Sequence, residues 1–140
     1  MKVDAERLDA FLTRLPARRA YTFEFREPGW YSDAVLDVLH RHNAALCLSD
    51  HAAAPAPTLV TADWVYVRNH GPTGRYHGNY SDAELEDWAA RIDGWCREGR
   101  DVWCFFDNDQ KAAAPADAER LIQLTAAAVQ PAPGKALRAG

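Results

Sequence analysis

Trp64-Val65-Tyr66-Val67-Arg68, the polar stretch Asn69 to Tyr80, the run Ser81 to Gly99, and Val102-Trp103-Cys104-Phe105-Phe106 together decide the fold. The first and last pieces are rich in β-branched and aromatic residues, the composition of strands. Between them Ser81 opens a helix: its hydroxyl can cap the first turn, and Glu84 stands at the third position of a capping box. Leu85, Trp88, Ala89, Ile92 and Trp95 recur at helical spacing as one apolar stripe, and Gly99 supplies the stop. Strand, long crossover and strand imply a parallel pair, because antiparallel neighbours need only a short turn.

The same alternation continues on both sides. Ala44-Ala45-Leu46-Cys47-Leu48-Ser49 is a short apolar run of the kind found in buried strands. After it, His51 to Pro57 is an Ala/Pro loop, and Leu59-Val60 adds a short extended piece. Upstream, Ser32 caps a helix that uses Ala34, Val35, Val38 and Leu39. Before the Pro28-Gly29 turn, Tyr21-Thr22-Phe23-Glu24-Phe25-Arg26 alternates as a strand. A first helix spans 4–14, with Pro16 as its stop, and a last one starts near Pro115 and carries Leu121, Ile122, Leu124 and Ala128. The expected fold is α/β, with about four parallel strands covered by helices. No glycine-rich phosphate-binding fingerprint follows the first strand.

The chain has 140 residues, enough for one domain, and 48% of them are hydrophobic against 26% charged. Residues 1–130 are expected to form that domain and 131–140 a flexible tail. A net charge of -4 offers no general attraction to nucleic acid or to an anionic membrane. No apolar run approaches the ~20 residues of a membrane span, and no signal-peptide core follows Met1-Lys2. Cys47, Cys96 and Cys104 are odd in number and lack metal-ligand spacing, so they read as thiols in a reducing, cytoplasmic setting.

In a parallel sheet the strand C-termini share one edge, where residues distant in sequence meet. That edge receives Glu24 and Arg26, then Asp50, then Arg68 and His70, then Asp107, Asn108 and Asp109. Such a mixture suits a polar or anionic small molecule. Arg26 and Arg68 are the expected clamp, Glu24 or Asp50 the base, and His70 the acid. Arg75, Tyr76 and Tyr80, on a loop made pliable by Gly71, Gly74 and Gly78, can close over the ligand, with Asn108 and Asp109 lining it. Period-two counting sends Asn108 to the face of Cys104 and Phe106, and Asp107 to the opposite face. Neither a metal nor another cofactor is expected, since two arginines beside the carboxylates oppose a cation. The alternative is a noncatalytic binding or assembly module in which the same groups form a structural network.

Glu24-Phe25-Arg26 with Trp30, Tyr66-Val67-Arg68-Asn69-His70-Gly71, Tyr76 to Ser81, Leu85, Trp88-Ala89 and Phe106-Asp107-Asn108-Asp109 resemble the C-terminal half of the YecE-like family, domain of unknown function 72. The resemblance runs from about Leu8 to Leu124 and implies a partial TIM-barrel-like fold without an assigned activity. It also carries the family's polar positions onto Glu24, Arg26, Asp50, Arg68, His70, Gly71, Tyr76, Tyr80, Asn108 and Asp109. Asn69 stands where an apolar residue is usual, and Asp107 where an Asn is usual. The front half of the barrel, which needs about 250 residues in all, is missing from this sequence. Leaving roughly 400 Å² of its inner face bare forfeits about 10 kcal/mol at about 25 cal/mol/Å². A homodimer that completes the barrel is therefore an expected partner arrangement, alongside a truncated domain or enzyme remnant.

Overall fold

The computed structural model describes residues 3–16 and 18–126. The expected tail at 131–140 lies outside them, as does Ala128. Four strands, β1 (Thr22–Phe23), β2 (Ala45–Ser49), β3 (Trp64–Asn69) and β4 (Asp101–Phe106), form one sheet in the order β1-β2-β3-β4. Every neighbouring pair is parallel. The helices are α1 (Ala5–Thr13), α2 (Asp33–Arg41), α3 (Asp82–Arg97) and α4 (Ala113–Ala126). This is the expected α/β arrangement of parallel strands covered by helices, consistent with part of a (β/α) barrel.

The decisive strand-helix-strand unit forms as its sequence requires. Ser81 Oγ accepts from the Glu84 backbone N–H at 3.3 Å, and Glu84 Oε2 accepts from the Ser81 N–H at 2.8 Å. Leu85, Ile92 and Trp95 are the buried stripe of α3, and Gly99 adopts φ +83 just past its end. Pro115 falls inside the first turn of α4, where its missing N–H breaks no bond, so that helix starts two residues earlier than expected.

Two expectations shift. The first strand keeps only Thr22–Phe23 in the ladder. As an edge strand it has one neighbour, and past Phe23 the chain turns Glu24 toward the arginines while Phe25 stacks on Trp30 at 5.0 Å. Leu59-Val60 forms no strand: the Leu59 N–H closes a tight turn onto the Pro57 carbonyl at 2.8 Å.

Helices cover one face of the sheet. Leu46, Leu48, Val65 and Val67 point into the core with Leu85, Trp95 and Leu121, and Val102, Cys104 and Phe106 pack against it. The opposite face carries Trp64, Tyr66 and Arg68 on β3 and Trp103 and Phe105 on β4. No described element covers that face, and Trp103 and Phe105 remain 56% and 43% exposed.

Candidate functional site

Parallel register brings four strand ends to one mouth. Ser49 lies opposite Arg68, and Asn69 opposite Phe106. Glu24, Asp50, His70 and Asp107 each follow their strands directly. The Asp107 N–H donates to the Asn69 carbonyl at 2.7 Å, extending the ladder by one step. Asp107 therefore shares the side of Trp103 and Phe105, which is also the side of Arg68.

Arg68 is the hub. Its Nη1 donates to Glu24 Oε2 and its Nη2 to Asp107 Oδ2. Glu24 Oε1 also accepts from Arg26 Nη2 at 2.7 Å and from Ser49 Oγ at 3.3 Å. Burial alone would lower the Arg68 pKa; the hydrogen bond and charge of Glu24, then Asp107, outweigh it and hold the pKa above its ordinary value.

His70 is fully buried beneath this pair of bridges. Arg26 Nη2 lies 3.4 Å from its Nε2, and Asp50 Oδ1 and Ser49 Oγ each lie 3.3 Å from its Nδ1. Nε2 also faces the carboxylates of Asp107 at 3.6 Å and Glu24 at 3.7 Å, so each ring nitrogen has charged neighbours. Asp50 is itself anchored: Oδ1 accepts the His70 backbone N–H at 2.6 Å, and Oδ2 accepts the Tyr80 hydroxyl. That hydroxyl in turn accepts the Gly71 N–H at 2.6 Å. Burial first, and the Asp50 carboxylate second, keep the Tyr80 phenol protonated far above its ordinary pKa.

Glu24, Arg26, Asp50, Arg68 and His70 thus meet as their positions at the strand ends implied. Tyr80 joins them as a buried anchor. Arg75 and Tyr76 lie over the mouth beside His51, whose ring meets His70 at 5.3 Å and Tyr76 at 5.7 Å. Asn108 and Asp109 do not join the cluster. Asn108 is buried on the helix side of β4, donating to the Gly78 carbonyl at 2.7 Å and to Asp117 Oδ2 at 2.8 Å. Asp109 is exposed at the start of the turn that precedes α4.

Strand-end reasoning brings Asp107 to this edge without giving it a role, and it misses Ser49 and Asp117. Asp117 is fully buried and accepts from Asn79, from the Tyr80 N–H at 3.0 Å and from Arg120, locking the loop 69–80 to α4. Its signal was present: it stands between Ala114 and Leu121 at core-facing helical spacing, where an apolar residue belongs.

Among the described residues, no group of three or more His, Cys, Asp or Glu side chains is placed to hold a metal ion. Arg26 and Arg68 fill the space between the carboxylates. Burial, then the charge of Glu24, pushes the Cys47 thiol up to about 12, and burial, then Asp50, does the same for Cys104. Both are inert at neutral pH. No described helix is long and apolar enough to cross a membrane.

The family described as "Protein of unknown function DUF72" matches residues 1–138. The chain belongs to the DUF72 family. The match extends beyond the span from Leu8 to Leu124 that carries the resemblance, and covers nearly the whole chain. A DUF72 family protein from Thermotoga maritima has the same fold, with TM-score 0.72 at 23% identity over 88% of this chain and 50% of that chain. One from Enterococcus faecalis gives TM-score 0.68 at 17% identity, over 86% of this chain and 51% of that one. The chain therefore spans about half the length of these DUF72 structures. No curated protein matches it.

Proposed function

We propose that the mouth of the sheet binds a small polyhydroxyl ligand and presents Asp107 to it as acceptor and general base. Asp107 carries this reading. Arg68 holds its Oδ2, while Oδ1 has no hydrogen-bond partner among the described residues and the side chain keeps 26% of its surface exposed. A fixed carboxylate oxygen beside a guanidinium matches neighbouring hydroxyls, one donating and one accepting. Removal of a proton from such a hydroxyl is the reaction class that this pairing suits.

Glu24, Asp50 and His70, expected as the acid–base groups, serve in this reading as positioning residues. Both Glu24 oxygens are engaged by guanidinium groups, both Asp50 oxygens by buried donors, and His70 has no exposed surface. Arg26, Arg68, Arg75 and Tyr76 form the ligand-facing rim, with Tyr80 beneath it. Coverage of about half of each DUF72 structure supports reading the chain as half of such a barrel, and the motifs of the resemblance assign residues 1–130 to its C-terminal half. Three unpaired cysteines support a reducing, cytoplasmic setting, and the net charge of -4 supports a small molecule over nucleic acid.

Titration with glucose, followed by NMR shifts of the protein, tests the reading. Asp107→Asn is expected to weaken binding about tenfold, the effect of losing one charge-assisted hydrogen bond. Absence of binding by glucose and by inositol overturns it.

The bare aromatic face favours a second reading, in which a second copy completes the barrel and the polar cluster is a structural network. Trp103 and Phe105 are its main exposed groups. Sedimentation showing only monomer at high concentration removes that arrangement.

A further inference from the structure

The two arginines of the mouth are spent. Glu24 and Asp107 occupy Arg68, and Glu24 also occupies Arg26. Glu24, Asp50 and Asp107 already stand around these two guanidinium groups, so an anion entering the mouth competes with three carboxylates. Arg75 differs. It makes no ion pair or hydrogen bond among the described residues, and it lines an open cleft of about 390 Å³.

The other walls of the cleft are suited to an oxyanion. His51 Nδ1 accepts the Ala53 N–H at 3.3 Å, which leaves the proton of the neutral ring on Nε2 as a donor. Burial, then the charge of Arg26, keeps the His51 pKa below its ordinary value, so the ring is neutral before a ligand arrives. Tyr76 holds its ring edge-on to His70 at 4.9 Å, from a left-handed backbone at φ +66 that is rare for an aromatic residue. The Tyr76 N–H closes onto the His70 carbonyl at 2.5 Å. A Cβ on Gly74 would lie 2.4 Å from the Asp50 carbonyl oxygen and 2.5 Å from the Ala52 nitrogen, so the two loops approach as closely as backbones allow. The exposed Tyr76 ring and the backbone that carries the unpaired Arg75 are thereby held in place, the former at a cost in backbone strain.

The His70 ring touches both groups: His51 and Tyr76 meet it at 5.3 and 4.9 Å, and Asp107 Oδ2 lies 3.6 Å from its Nε2. Arg26, more than a third exposed, lies alongside. We infer that the cleft walled by His51, Arg75 and Tyr76 is an anion subsite of the mouth. It takes the terminal phosphate or carboxylate of a polyhydroxyl ligand whose hydroxyls reach Asp107 and Arg68. The ligand class becomes a sugar phosphate or sugar acid. This inference rests on the polyhydroxyl reading above for the second half of the ligand, and on the cleft alone for the first.

Titration of the full chain with glucose, glucose-6-phosphate, glucuronate and inorganic phosphate tests it, repeated in Arg75→Gln. At least one of the two sugar anions is expected to bind about tenfold or more tighter than glucose. Arg75→Gln, an exposed change, is expected to bring both sugar anions down to the affinity that the same variant shows for glucose. The sugar anion that gains more assigns the group as phosphate or carboxylate. Equal affinity for glucose and both anions, or an advantage that survives Arg75→Gln, overturns the subsite. Glucose binding without an anion advantage leaves the polyhydroxyl reading standing alone. Arg75-dependent binding of inorganic phosphate without glucose binding does the reverse. Binding of none of the four removes both.

Discussion

Arg68 holds Glu24 with one guanidinium nitrogen and Asp107 with the other, tying the end of β1 to the end of β4 across β3. No backbone ladder joins those two strands, since β2 and β3 lie between them. The bridge is therefore a cross-sheet tie as well as the floor of the mouth.

Arg68→Gln removes the cation between two carboxylates. The side chains retain 31% (Arg68), 15% (Glu24) and 26% (Asp107) of their exposure, between a surface pair and a buried one. The expected loss of stability is about 1–3 kcal/mol, above an exposed ion pair and below a fully buried pair broken on one side. Urea denaturation reads the stability, and a glucose titration of the folded variant is expected to show no binding.

Tyr80→Phe takes a donor from Asp50 and an acceptor from the Gly71 N–H, both at a buried position. Leaving such groups unpaired costs about 1–3 kcal/mol, visible as a lower denaturation midpoint at pH 7. The pH dependence has a definite sign. The folded-state pKa of Tyr80 is raised, so its stabilisation is complete below the unfolded phenol value of about 10 and is lost as pH rises beyond it. The wild type is expected to lose its advantage over Tyr80→Phe only in strong alkali.

Asn69 is fully buried on the helix side of β3, with Oδ1 unpartnered and Nδ2 only 3.5 Å from Cys104 Sγ. Asn69→Leu replaces an unsatisfied amide by an apolar group of similar size. It is expected to raise stability by about 1 kcal/mol, read as a higher melting temperature; a drop would show that the amide has a partner worth more than its desolvation.

Thiol alkylation at pH 8 is expected to modify Cys96 first, because it is exposed on α3. Cys47 and Cys104, pushed up to about 12 by burial, are expected to react only as the chain unfolds. Mass spectrometry of the modified peptides checks the order.

The mouth was legible in part. Glu24, Arg26, Asp50, Arg68 and His70 were found because each ends a strand, and parallel strands deliver their ends to one edge. Asp107 and Asn108 exchanged places for a different reason. Val102 to Phe106 is apolar at every position, so alternation separates its two faces without saying which one the helices cover. Packing of α3 and α4 on Val102, Cys104 and Phe106 sends Asn108 to Asp117 and Asp107 to Arg68. Asp117 escaped because its partners, Tyr80 and Asn108, lie on other elements and no local spacing ties it to them.

Local chemistry in the chain was enough for the elements and their direction: the Ser81–Glu84 cap, the α3 stripe and the crossover lengths act within a few residues of themselves. Partnership across elements was not encoded at that range. Which carboxylate faces Arg68, which arginine stays unpaired and which side of the sheet lies bare depend on register and helix placement. Those follow from burying the whole core at once, a condition that no single segment contains.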